Sequence, residues 1–222
     1  MDITQAKALQ QQLREKVDIR SVVDLSAIKT VGGTDVGFAE NGRVTRAVFV
    51  VLSFPELTLL ESVVVERPTC FPYVPGYLSF RELPPLAEAY QQLAIKPDVT
   101  LCDGQGIAHP RRFGLACHLG VELGIITVGV AKKRLTGVAR EPATAKNSAT
   151  PLMDGDEQLG WLLRSRTAVK PVFVSPGHGI NVQQSLDIVR ACCTRTRLPE
   201  PTRIADRLSK ASREERGVRR GA

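Results

Sequence analysis

The chain has 222 residues, with 30 lysines and arginines against 23 aspartates and glutamates, a formal net charge of +7. That length suits one α/β domain or two small ones, and 43% hydrophobic with 24% charged residues supports a full core, which excludes a disordered chain. No run approaches the ~20 apolar residues that span a bilayer, and residues 1–20 read as a polar, charged helix without the apolar centre of a signal peptide. A soluble, cytoplasmic protein is expected.

After that helix, residues 30–38 (TVGGTDVGF) read as a strand. Residues 45–53 and 57–66 are β-branched runs separated by a turn at Pro55-Glu56, so the three strands predict an antiparallel meander. Residues 68–75 form a loop with three prolines and two aromatics. A helix is predicted to open near Pro84-Pro85, with Leu86, Ala89, Tyr90 and Leu93 at helical spacing. Residues 98–102 form an apolar strand leading into Asp103-Gly104-Gln105-Gly106. A helix over 111–123 then leads to a strand at 125–130, with further strands at 158–164 and 172–175 and a helix at 182–192. Apolar strands alternating with helices imply parallel neighbours buried on both faces. A three-strand antiparallel meander, then parallel strands flanked by helices, is the order of an α/β ribonuclease H-like mixed sheet, an order that other mixed α/β folds share in part.

Three acidic residues stand out by position: Asp35 near the end of the first strand, Glu82 before the helix, and Asp103 where the fourth strand stops. If strands one and four are neighbours, Asp35 and Asp103 meet at one sheet edge and repel unless a cation lies between them. Oxygen ligands without a partnering histidine or cysteine favour Mg²⁺, or Mn²⁺, over zinc. A pair of such ions can activate water and stabilise a leaving oxygen in phosphodiester hydrolysis. The alternative is that strand-end aspartates make turns and Glu82 caps a helix. The five cysteines lack CxxC spacing and read as reduced core thiols.

The runs 72–82 (PYVPGYLSFRE) and 103–112 (DGQGIAHPRR) closely resemble the endonuclease V family. So do 33–38 (GTDVGF), 129–135 (GVAKKRL), 175–178 (SPGH) and 198–203 (LPEPTR), and together they span almost the whole folded body. The resemblance implies a ribonuclease H-like fold and Mg²⁺-dependent hydrolysis of DNA at the second phosphodiester bond 3′ to deoxyinosine, leaving a 3′-hydroxyl and a 5′-phosphate. It places Asp35, Glu82 and Asp103 on the family's metal-binding carboxylates and Asp206 on a further acidic position of a C-terminal helix, with Asp187 the weaker competitor. It matches Lys132 to a lysine near the scissile phosphate.

The same resemblance makes Tyr73, within Pro72-Tyr73-Val74-Pro75, a wedge that replaces the stacking of an everted base. Gly76, Leu78, Gly106, His109 and Leu135 match a pocket for hypoxanthine, which lacks the 2-amino group of guanine. Lys133 and Arg134 are expected on the DNA backbone. Arg111 and Arg112, at an expected helix N-terminus where cations are disfavoured, are also expected on phosphate. His178 contacts DNA or stabilises its own turn. Inosine-containing RNA as substrate, or a non-catalytic binding module, are the competing readings; clustered carboxylates disfavour the pure binder of polyanions. A monomer is expected.

The charge is unevenly distributed: residues 190–222 hold ten basic and four acidic residues, residues 1–189 twenty and nineteen. One domain is expected over 1–207, with 208–222 a basic tail that adds salt-sensitive affinity and little specificity. Deleting the tail past Leu208 is expected to weaken DNA binding at high salt and leave the deoxyinosine preference intact, as measured by binding titrations on damaged and intact duplexes.

Overall fold

A computed structural model describes residues 2–211. Eight strands form one sheet in the order β3-β2-β1-β4-β5-β8-β7-β6. β1 (Thr30–Ala39), β2 (Val44–Ser53) and β3 (Leu59–Pro68) make the expected antiparallel meander. β4 (Val99–Cys102) and β5 (Thr127–Ala131) add in parallel beside β1. β8 (Val172–His178), β7 (Glu157–Leu163) and β6 (Ala149–Asp154) then complete the sheet in antiparallel fashion.

Helices cover both faces. α2 (Ser79–Gln92) and α3 (Leu115–Leu123) bury Leu83, Leu86, Ala89, Leu115 and Leu119 against Ala47, Phe49 and Val51. On the other face α4 (Val182–Ala191) and α5 (Glu200–Lys210) bury Leu186, Val189, Ile204 and Ala205 against Val31, Val48, Leu101 and Val128. Alternation along the central strands, with Val48 and Val50 to one core and Phe49 and Val51 to the other, explains why these strands are apolar throughout.

Several element boundaries differ from expectation. The N-terminal helix α1 is shorter, Ile3–Arg14, with Asp2 and Gln5 forming a capping box. α2 starts at Ser79, five residues ahead of Pro84, so Glu82 sits in its first turn. Both prolines lie beyond the first four amides and remove intrahelical donors. Burial of Phe80, Leu83 and Leu86 holds the helix through them. α3 starts at Leu115 because Gly114 and Ala116 donate back to the carbonyls of Gly106 and Gln105, folding 107–113 into a loop in which Arg112 has φ 56°. The expected domain boundary at 207 falls inside α5; the tail beyond residue 211 lies outside the described residues.

α5 lies unusually close to β1. A Cβ on Gly33 would stand 2.3 Å from the Pro201 backbone, and one on Gly37 2.7 Å from the Ser209 carbonyl oxygen. Gly33, Asp35 and Gly37 share one face of the strand, and only hydrogen at the two flanking positions lets the helix descend onto that face. Arg46 of β2 fixes the far end by donating to the carbonyls of Ser209 (3.2 Å) and Ala211 (2.7 Å). Gly33→Ala is therefore expected to cost about 1–3 kcal/mol as overpacking, read as a lower melting temperature. An unchanged melting curve would show that α5 lifts freely from β1.

Candidate active site

Register brings the carboxylates together. Thr34 of β1 pairs with Cys102 of β4, and the Asp103 amide donates to the Thr34 carbonyl at 3.1 Å. Asp35 and Asp103 therefore emerge side by side, on the face that α5 covers. α5 supplies Asp206, and one carboxylate oxygen from each of Asp35, Asp103 and Asp206 lies within 4.8 Å of the others. Glu82 approaches from α2 on the opposite face. It lines the adjoining cavity and feels the charges of Asp35 and Asp103, but stands outside the three-aspartate group. Asp187 lies on α4, paired with Arg190 at 3.9 Å.

The electrostatics are those of a site built for more positive charge than it holds. Burial and the neighbouring Asp103 push the Asp35 carboxyl up to about 7, against the opposing pull of Ser209 and Lys132. Burial, then the charges of Asp35 and Asp103, push Glu82 up to about 8. Two lysines partly compensate. Lys132, just after β5, donates to Asp103 Oδ2 at 2.5 Å and Asp206 Oδ1 at 2.6 Å. Lys210 donates to both Asp206 oxygens at 2.8 and 2.7 Å. Burial opposes ionisation of Asp206, but these bonds hold its carboxyl below the usual range. An all-oxygen, partly buried group of acids, with Asp35 and the adjoining Glu82 held above the usual carboxylate range, fits a hard divalent cation.

A cavity of about 490 Å³ adjoins the carboxylates. Gly76, Leu78, His109 and Leu135 of the expected base pocket line it, with Lys132, Lys133 and Arg134 along one wall. Gly106 does not. It is packed under β8, where a Cβ would meet the Pro176 carbonyl oxygen at 2.0 Å, and its amide donates to Ser175 Oγ at 2.9 Å. Gly104, Gln105, Phe113 and Leu115 take its place in the wall. His109 is buried; burial and then the Arg111 charge hold its imidazole down at about 4, so it is neutral. Its Nδ1 accepts from the Arg111 amide at 3.1 Å, and the Gly76 backbone is its other partner.

Tyr73 stands at the cavity mouth with 68% of its surface exposed. Its loop is pinned from beneath, where Phe71 and Phe80 form a small core with Ala6 and Val74 packs onto them. Pro72 and Pro75 flank the ring in exposed positions. The result is an aromatic tip on an anchored loop.

Three expected phosphate contacts are engaged elsewhere. Arg111 donates to the Gly76 carbonyl at 2.5 Å and to Gln10, and stacks 4.2 Å over Tyr77. Arg112 is ion-paired to Asp154 and Glu157 at 2.7 and 2.8 Å. Both lie in the loop before α3, so the helix-dipole argument does not apply to them; they brace the cavity wall. His178 is at the far end of β5, paired with Thr127, and its Nδ1 accepts from the Asp18 amide at 3.2 Å. Of His178 and Asp206, the geometry brings Asp206 to the carboxylates. Ser209 was not foreseen: its hydroxyl donates to Asp35 Oδ2 and is buried.

Comparison with known proteins gives the family. The family profile described as endonuclease V matches residues 11–207. The chain belongs to the endonuclease V family. It is 46% identical to endonuclease V of Nostoc punctiforme over 94% of each chain. Among solved structures, endonuclease V of Streptomyces avermitilis superposes with a TM-score of 0.90 at 38% identity, covering 98% of this chain and 94% of that one. Endonuclease V of Ciona intestinalis, bound to a 24mer DNA containing an inosine followed by a ribo-adenosine, gives 0.82 at 31% identity over 97% and 98% of the two chains. The family is one of nucleases, and the described chain has no helix long and apolar enough to cross a membrane.

The raised carboxylates set a sign for stability against pH. Asp35 and Glu82 bind protons more tightly folded than unfolded, so stability falls as pH rises from the ordinary carboxylate range through about 7 and 8. Metal-free protein is expected to melt lower at pH 8 than at pH 5.5. Asp35→Asn is expected to flatten that difference, and Mg²⁺ to raise the melting temperature more at pH 8. A melting temperature that rises across this range in chelator would contradict the assignment.

Proposed function

We propose that this protein is a divalent-metal-dependent endonuclease that recognises deoxyinosine in DNA. It hydrolyses the second phosphodiester bond 3′ to the lesion, leaving a 3′-hydroxyl and a 5′-phosphate. The observation that carries the reading is one juxtaposition: a carboxylate cluster adjoins, through Asp103, a cavity with room for a nucleobase, whose mouth holds an exposed, anchored tyrosine.

Asp35, Asp103 and Asp206 would hold Mg²⁺, or Mn²⁺, with Glu82 beside them. The ion's contribution when bound is Lewis-acid stabilisation of the phosphoryl oxygens and activation of water. Lys132 supplies a fixed positive charge next to the same carboxylates, placed for charge developing on the scissile phosphate. Tyr73 fills the space that an everted base leaves in the stack. The cavity then takes the base between Leu78, Phe113 and Leu135, with backbone at Gly76 and Gly104 close to its edge. Neutral His109 braces Gly76, and a close wall there excludes a 2-amino group. Lys133 and Arg134, exposed on the rim, contact the backbone of the strand.

Cleavage assays on oligonucleotides with one deoxyinosine, with one inosine in RNA, and with no lesion, in Mg²⁺ and in chelator, test this reading. Metal-dependent cutting of the deoxyinosine strand is expected; no cutting under any metal condition would sink the nuclease assignment, and preference for the RNA would transfer the substrate. Asp35→Asn is expected to lower cleavage by about 100-fold or more, since several kcal/mol of charge stabilisation depend on the ion, while DNA binding survives. Tyr73→Ala is expected to weaken lesion preference by about tenfold, the scale of one stacking contact. Equal cutting of damaged and intact strands by the unaltered protein would remove the wedge.

A further inference from the structure

The wedge loop has a second flank. Opposite the base-sized cavity, a concavity of about 480 Å³ is lined by Gly42, Arg43, Thr69, Cys70, Pro72 and Arg81. Its inner wall is a buried cation: Arg81 retains 9% of its surface and, among the described residues, is in no ion pair, its charge acting only at a distance on Glu82. The group is held by neutral partners. Nη2 donates to the Gly42 carbonyl at 3.2 Å, Cζ stands 4.0 Å over the Phe38 ring, and buried Nε has no hydrogen-bond partner. The neighbouring acid, Glu82, faces the other cavity and the carboxylate cluster.

Arg43, exposed at the rim, has only the Glu40 carbonyl at 3.3 Å. Among the described residues neither arginine is ion-paired, and no acidic side chain lines the concavity. The Thr69 hydroxyl adds no charge; it donates to the Gly42 carbonyl at 2.8 Å, stiffening the turn that carries Arg43.

We propose that this concavity seats a phosphodiester group of the DNA strand beside the wedge, bound by Arg43 and Arg81. The proposal rests on the nucleic-acid reading above and extends it to a site on the other side of Tyr73. Pro72 is common to the concavity and the wedge loop, which puts this flank within reach of the backbone of DNA with Tyr73 inserted. A phosphate there supplies an acceptor for the unpartnered Nε and a direct ion pair for both arginines, and guanidinium donors match its oxygens. Because the contact reads backbone and not base, it adds affinity without sequence or lesion information.

The test is the salt dependence of binding to a fluorescent duplex, with and without one deoxyinosine, in chelator to prevent cutting. Arg43→Gln and Arg81→Gln are each expected to reduce the slope of log affinity against log salt by about 1, the value for one lost phosphate contact. Binding to damaged and intact duplex should weaken by the same factor, leaving lesion preference unchanged. Arg81→Lys is expected to recover part of the slope. Arg43 is exposed, so its variant reports even if Arg81→Gln lowers the melting temperature. Slopes equal to the unaltered protein in Arg43→Gln and Arg81→Gln would overturn the proposal, as would a loss confined to the deoxyinosine duplex. Failure of the unaltered protein to prefer deoxyinosine would instead strike the substrate assignment.

Discussion

Everything in the site depends on how near α5 can come to β1. A carboxylate cluster needs acids from different elements converging on one point, and each element must be stopped at the right depth. Here the depth is set by backbone contact, because Gly33 and Gly37 remove the side chains that would hold the helix off. Between them Asp35 meets the Ser209 hydroxyl, and one turn back Asp206 joins Asp103 through Lys132. Arg46 draws on the last carbonyls of the helix while pairing with Glu66 at 2.7 Å, so the end of α5 is tied to the β2–β3 ladder. A guanidinium on those carbonyls also meets the negative end of the helix dipole.

That close seating works against the charges it assembles. Bringing acids together in a partly buried region disfavours the ionisation of Asp35 and Glu82, visible in their upward shifts. The two cores on either side of the sheet offset the cost, since the strands beneath the acids are buried on both faces. The site is thus a locally strained charge arrangement carried by a well-packed scaffold, which is where functional groups are expected to break the rules that the rest of the chain obeys. Lys132 and Lys210 lessen the repulsion from one side only, at Asp103 and Asp206. Asp35 and Glu82 are left with no lysine of their own and carry the shifts.

The sheet was legible because its signal is local: β-branched and apolar runs in 30–53, buried almost continuously, and short apolar strands before Asp103 and Lys132. Adjacency of strands one and four stood in the sequence only as a condition; the parallel pairing of β1 with β4 meets it and brings Asp35 and Asp103 together. What escaped was nonlocal. β6 carries Pro151 on an edge and alternates weakly, so it did not read as a strand. The start of α2 was displaced because Pro84 and Pro85 signal a first turn, while the burial of Phe80 that overrides them is tertiary. Arg111 and Arg112 looked free because their partners, Gly76, Asp154 and Glu157, are 35 or more residues away. Ser209 carries no mark in sequence; its role comes from facing Gly37. Gly104 and Gly106 are indistinguishable as letters, and only packing against Pro176 tells which of them lies in the cavity wall.

The net charge of +7 also takes on a different meaning. Most of it lies beyond residue 189, in the segment that includes α5, while residues 1–189, which hold the rest of the site, are close to neutral. Within that body the sign alternates over short distances: acids at the centre, Lys132, Lys133 and Arg134 along one wall, the uncharged tip of Tyr73, then Arg43 and Arg81 behind it. A uniformly basic surface would hold DNA in any register. On the proposed reading, an alternating one would hold it only where phosphates meet the cationic flanks, a base meets the cavity, and the carboxylates are met by a cation instead of by the strand itself. Attraction over the whole molecule and selection at the site are therefore separate properties of different residues. The second is the one that backbone contact between α5 and β1 makes possible.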